Sequence, residues 1–363
     1  MRAVAIALVI LSHRLMQPGM SPGIAKVGAL VQPGVIGVRL FFIISGFLIT
    51  TLLLAELEST QTIALGRFYL RRTLRLLPPL LVLVAALVVL DRAGLITLHR
   101  GDLLYTLTYT SNFHLGRSWY VGHAWTLAIE EQFYLAWPAL LLLLRPWRAR
   151  RAALFALAIG PLVKLTLYVL TPPAARDGIA STFWGVSDTL VAGCALALLR
   201  PQLHAMPRYR ALIASPLFIA VAPLVAVACW SAGGHWRLAI ATQLVSVLLF
   251  TMCLDRVITL PGAATTRVLD FAPIAWLGRV SYGIYLWQQL FTAPDVRDRW
   301  QSLALTSGPA SYAAILAAAV LSFYLVERPS LRLRDHVERR LHDRSMREQQ
   351  ELLAQRVATE GAM

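Results

Sequence analysis

Apolar residues dominate this chain in runs of about fifteen to twenty, each closed by a short polar stretch in which arginine is frequent. The runs fall at 2–16, 36–55, 76–92, 123–144, 152–170, 181–199, 211–230, 237–254, 274–291 and 309–327. A helix of about 20 apolar residues spans the roughly 30 Å hydrocarbon core of a bilayer. Backbone in lipid must also satisfy its own hydrogen bonds, which a helix does and an open strand does not. The pattern predicts an all-α fold, a polytopic transmembrane helical bundle of about ten spans. A further apolar stretch at 102–114 is too short to cross and is expected to be re-entrant or interfacial. The one polar segment of any length follows Val326. Residues 1–330 are therefore expected to form one membrane domain, and 331–363 a basic, polar cytoplasmic tail.

Composition agrees with the pattern. The chain has 363 residues, 57% hydrophobic and 15% charged, against about 25% charged in a soluble domain. Length alone would suggest two soluble domains; a mean hydropathy of +0.61 overrides that. The formal charge is +15, but the arginines lie in short clusters between apolar runs. That arrangement reads as membrane topology, so no nucleic-acid partner is expected. With a cytoplasmic N-terminus, the inside connections carry 21 Lys and Arg residues and the outside ones 8. The bias predicts that both termini are cytoplasmic. Without the tail it is still 13 to 8. Arg2 and the short apolar run after it also fit a signal peptide, but no small-x-small cleavage site follows His13, and the run is expected to stay as a span. Cys194, Cys229 and Cys253 all lie in apolar runs and read as small buried hydrophobes, with no metal spacing.

Ionisable groups inside spans are costly and mark functional candidates. His13 lies eleven residues after Arg2, about three helical turns and roughly 16 Å along one face. It reads either as a base that takes a proton from a hydroxyl or as a hydrogen-bonded histidine at the outer interface. Glu130, Glu131 and Gln132 interrupt the fourth run. Adjacent residues point about 100° apart, so one glutamate at most faces a given site. Glu130 shares a face with Thr126, Tyr134 and Trp137 and could orient a histidine; the bland reading is a helix–helix hydrogen bond. Arg72 and Arg75, three apart at the entry to the third run, suit a phosphate-bearing ligand or simple positive-inside anchoring. Lys164 and Asp188 are a candidate pair. Gln288 and Gln289 could bond a sugar or neighbouring helices. Ser45 lacks a nucleophile-elbow sequence, and close packing through Gly46 is the expected role of that pair.

Six segments taken together resemble the acyltransferase-3 family of integral membrane acyltransferases, in the family's order and over nearly the whole chain. They are RAVAIALVILSH from Arg2 to His13, GVRLFFIISGFLIT from Gly37 to Thr50, FYLRRTLRLLPPL from Phe68 to Leu80, HAWTLAIEEQFYLAWP from His123 to Pro138, LGRVSYGIYLWQQLF from Leu277 to Phe291, and VERPSLRL from Val326 to Leu333. The resemblance implies an O-acyltransferase of the inner or plasma membrane. It implies a cytoplasmic acyl-CoA donor, acetyl-CoA by family habit, and a sugar or glycoconjugate acceptor. No permanently bound cofactor and no metal are expected, and membrane lipid is a further partner. Family roles carry over to His13 as the catalytic residue, to Arg2 as its motif partner, and to Arg72 and Arg75 as the pair that binds coenzyme A phosphate. Glu130 matches the fourth-span glutamate and is expected to act behind His13. The sequence departs from the family at position 39, which is Arg where many members have Asp, and at 288–289, which is Gln-Gln where many have His-Trp. No esterase-like domain is expected after the last span. A transporter or flippase is the rival class, but no internal repeat accompanies the charged motifs.

Overall fold

A computed structural model describes residues 1–15, 21–231, 236–292, 298–303, 306 and 308–339. The described residues are helical throughout, with no strand among them. In chain order the helices are α1 (Arg2–Leu15), α2 (Pro22–Val31), α3 (Pro33–Thr60), α4 (Leu65–Arg92), α5 (Asp102–Leu107), α6 (Ala124–Leu170) and α7 (Phe183–Ala205). They continue as α8 (Pro207–Ala214), α9 (Pro216–Ser231), α10 (Trp236–Thr259), α11 (Ala264–Asp270), α12 (Ala272–Phe291) and α13 (Gly308–Ser322). A π-helical turn at Phe323–Glu327 follows. The wider turn suits Pro329 just beyond it, because proline offers no N–H to the carbonyl four residues earlier.

Every apolar run in the sequence falls on helix, but the runs and the membrane-length helices do not match one to one. Among the described residues six helical stretches are long and apolar enough to cross a membrane, or seven if the bent pair α8 and α9 is one span. The shortfall from ten has physical causes. α1 has only 14 residues. α12 carries Arg279, Gln288 and Gln289 within 20 residues. α6 holds two of the runs in 47 residues, about 70 Å if straight, more than twice a bilayer core. It cannot be one straight span, and it breaks at Arg145, where φ is 61° and ψ is 157°. Pro146 follows, and a residue before proline is driven out of the helical region.

Two helices, α2 and α11, lie wholly between apolar runs, where the pattern predicts only connections. The stretch between the first two runs reads as a connecting loop, but Pro22–Val31 is a helix, opened by Pro22 and closed by Gln32 in the left-handed region. None of its residues is buried. The tail residues from 340 onward lie outside the described set. Residues up to Arg339 continue as helix.

α3 is the central helix, packed against α1, α6, α7 and α10. Lipid tails are as apolar as leucine, so close packing and polar contacts hold such helices together. Glycines provide the approach between α3 and α7. A Cβ on Gly46 would run into the Leu190 carbonyl, and one on Gly193 would come within 2.7 Å of the Phe47 nitrogen. The obstacle in both cases is backbone, which cannot swing away. Gly193→Val should therefore destabilise the bundle by about 1–3 kcal/mol, as overpacking does. A lower midpoint of thermal unfolding in detergent would register it; an unchanged midpoint would mean that the helices part without cost. The Trp137 indole donates to Thr50 Oγ1 at 2.9 Å and joins α6 to the same region.

Candidate active site

Helices α1, α3, α4, α6, α7 and α12 line two cavities stacked along α1. The first is lined by Arg2, Ser45, Arg72, Arg75, Glu130 and Tyr134, among others. The second is lined by His13, Arg39, His123, Trp125, Gln288 and Gln289. Val38 and Tyr285 line both and form the neck between them. The α1 spacing explains the division, since eleven helical residues put Arg2 and His13 about 16 Å apart, one at each cavity.

The first cavity gathers the arginines singled out from sequence. α4 begins at Leu65, so the arginine-rich stretch is helical and continuous with the apolar run after it. Arg72 and Arg75 therefore share a face as their spacing requires. The Arg72 guanidinium stacks 3.4 Å from the centroid of the Tyr134 ring, and its Nε is buried without a partner. No carboxylate forms an ion pair with Arg2 or Arg75 among the described residues. The cavity lining thus carries three guanidiniums and one carboxylate. Such a site suits a ligand that brings its own phosphates.

Glu130 is in this cavity, and its partners differ from expectation. It accepts from the Tyr134 hydroxyl at 2.6 Å and from the Ser45 hydroxyl. It makes no bond to His13. Seven residues of α6, about 10 Å, separate it from the level of His123, so it sits with the arginines. Glutamine takes the place foreseen for the carboxylate, with His13 Nδ1 lying 2.7 Å from Gln288 Oε1. Glu130 instead fixes Tyr134, on which Arg72 rests. Gln132 turns the other way and donates to Asn112 Oδ1 at 2.9 Å and to the Tyr109 carbonyl at 3.0 Å. The stretch 102–114 thus dips to the level of Gln132, about 13 Å along α6 from His123.

Two residues of the second cavity were not singled out from sequence. His123, the N-cap of α6, is buried, with its ring edge-on to Tyr285 at 5.4 Å. Tyr285 exchanges a hydrogen bond of 2.6 Å with Thr126 and donates to the His123 carbonyl at 3.3 Å. The available signal was the histidine that heads the fourth-run motif. His13 meets the Trp119 ring edge-on at 5.5 Å, and Trp119 Nε1 donates to the Gln289 carbonyl at 3.0 Å. The segment carrying Trp119 is tied down by Asp102, which accepts from His99 N at 2.8 Å and lies 3.0 Å from His114 Nε2. Beside it Arg117 bonds the His114 carbonyl at 3.0 Å. Burial lowers the Arg117 pKa, and the nearby Asp102 charge opposes that shift.

Behind the second cavity stands a buried ionic group. Lys164 Nζ lies 2.6 Å from one oxygen of Asp188, so the pair foreseen in the sequence forms. Arg39 takes the other oxygen at 3.2 Å, and its guanidinium lies 4.6 Å from the centroid of the Trp230 ring. The group joins α3, α6 and α7. No cluster of three His, Cys, Asp or Glu side chains suited to a metal ion occurs among the described residues.

Comparison with known proteins bears on this geometry. A family described as "Acyltransferase domain" matches residues 1–328. "Peptidoglycan O-acetyltransferase OatA" of Listeria monocytogenes is 29% identical over 333 residues, covering 82% of this chain and 51% of that protein. "Putative peptidoglycan O-acetyltransferase YrhL" of Bacillus subtilis is 30% identical over 294 residues, covering 70% of this chain and 43% of that protein. "O-acetyltransferase OatA" of Staphylococcus aureus is 27% identical over 287 residues, with 70% and 45% covered. The chain thus spans about half the length of the curated relatives it matches. No solved structure matches it.

Proposed function

We propose that this chain, which belongs to the acyltransferase domain family, is a multi-pass membrane O-acyltransferase that moves an acetyl group from acetyl-CoA to a hydroxyl of a sugar or glycoconjugate. The observation that carries the reading is the cavity lined by Arg2, Arg72 and Arg75, set across the Val38–Tyr285 neck from a cavity containing His13. The names of the relatives support a glycan acceptor. The Lys and Arg bias supplies the direction, since with a cytoplasmic N-terminus Arg2 faces the cytoplasm and His13 the far side.

In this reading the coenzyme A phosphates bind the arginines and the thioester arm points through the neck towards His13. His13 takes the proton of the acceptor hydroxyl. The oxygen bonds to the acyl carbon, the carbon–sulfur bond breaks, and the thiolate leaves as thiol with a proton returned to it. A route through an acyl-histidine has the same overall balance. Glu130 contributes through Tyr134 and Arg72, on the donor side.

The test is transfer of label from acetyl-CoA to extracted glycan in membranes holding the full chain, with Arg72→Ala and Arg75→Ala beside the wild type. Each arginine that bonds a phosphate is worth about 1.5–3 kcal/mol. The donor KM should rise roughly ten- to a hundredfold in each variant. Transfer with an unchanged donor KM would remove the arginines from donor binding. Absence of transfer by the wild type would overturn the enzymatic reading.

A further inference from the structure

Two histidines line the second cavity, and their surroundings differ. Both rings are approached at Nδ1 by a glutamine oxygen, His13 by Gln288 and His123 by Gln289, each at 2.7 Å. Gln288 does not settle which atom is the donor, because its Nε2 is buried with no partner. Gln289 does. Its Oε1 also receives the backbone N–H of His123 at 2.7 Å. A backbone N–H can only donate, so the atom it meets is the amide oxygen. The same oxygen faces the ring nitrogen, so His123 Nδ1 carries the ring proton. His123 Nε2 is then an acceptor with an open lone pair, in a buried side chain, and it has no partner among the described residues.

A buried acceptor without a donor is costly, and native proteins rarely retain one without a use. The ring cannot rotate to escape, because it is held by Gln289 on one side and by the edge of Tyr285 on the other. The cavity beside it also contains His13. We propose that His123 is the acceptor-recognition residue of this site, its Nε2 receiving the hydrogen bond of a hydroxyl on the glycan to be acylated; this rests on the acyltransfer reading above. The fixed tautomer defines the ligand chemistry. A hydroxyl satisfies the lone pair, whereas a carboxylate or phosphate oxygen at the same point would meet it acceptor to acceptor. His123 touches the acceptor and His13 performs the transfer.

The experiment uses the purified full chain in lipid vesicles, labelled acetyl-CoA and a soluble glycan-strand fragment of peptidoglycan. Wild type, His123→Phe and Gln289→Leu are compared for acceptor KM, donor KM and kcat. His123→Phe, which keeps a ring and has no acceptor, should raise the acceptor KM roughly ten- to a hundredfold, with donor KM and kcat little changed. Gln289→Leu releases the tautomer while leaving the ring, and should raise the acceptor KM by a smaller factor. It keeps the inference testable if His123→Phe fails to fold. A wild-type acceptor KM in a folded variant would overturn the inference while leaving the enzyme reading intact. A fall in kcat at unchanged acceptor KM would also overturn it, by assigning His123 to the chemistry. No transfer by the wild type would overturn both.

Discussion

His13→Ala should lower acyl transfer by about 10²- to 10⁴-fold, the usual contribution of a positioned base. The loss should fall on kcat, with donor KM near the wild-type value, because the arginines proposed to hold the donor lie in the other cavity. Folding should survive. His13 makes one side-chain hydrogen bond, to a glutamine on α12, and removing a neutral pair of this kind costs about 1 kcal/mol. Label transfer from acetyl-CoA at matched protein abundance measures the effect. Equal rates for variant and wild type would show that another group takes the hydroxyl proton, and the open Nε2 of His123 would be the first candidate.

Asp188→Leu should act on stability instead. Asp188 is the one carboxylate between Lys164 and Arg39, and all three side chains are under a tenth exposed. Its removal strands two buried cations. Breaking a buried ion pair from one side costs about 3–5 kcal/mol, a large share of the net stability of a typical domain. The variant should lose most of its folded population in membranes. Lys164→Met is the informative contrast, since it leaves Arg39 and Asp188 as a balanced pair, and its loss should be clearly smaller. Folded yield by size-exclusion profile and thermal unfolding in detergent compares the two. Equal stability of Asp188→Leu and wild type would mean that water reaches the group and screens it.

These two residues show where sequence reading succeeds and where it stops. Lys164 and Asp188 could be paired on paper because each is an isolated charge in an apolar run, and lipid offers a lone charge few alternatives. Arg72 and Arg75 were legible for a local reason, as a spacing of three fixes a shared helix face whatever lies opposite. The partner of Arg39 was not legible. In the sequence it marks only the absence of an acid, whereas folding brings it to Asp188, 149 positions away. Glu130 failed as the partner of His13 for the same reason. Periodicity tells which way a residue points on its own helix and says nothing of the depth at which another helix crosses. The two glutamines, noted as a departure from the family pattern, are the groups that hold the two histidines. A neutral amide in a span gives a weak sequence signal, because it serves helix packing as readily as a site.

The neck between the cavities has a consequence for the cell that carries the protein. A membrane that stores energy as an ion gradient is drained by any continuous file of water. Two cavities stacked along one short helix come close to making such a file. Val38 offers water nothing to bond. The Tyr285 and Thr126 hydroxyls are engaged with each other and with a backbone carbonyl, so they offer little purchase for a proton-conducting chain. The neck works as electrical insulation between the two cavities, and in the proposed reaction only the acyl arm of the donor would pass it.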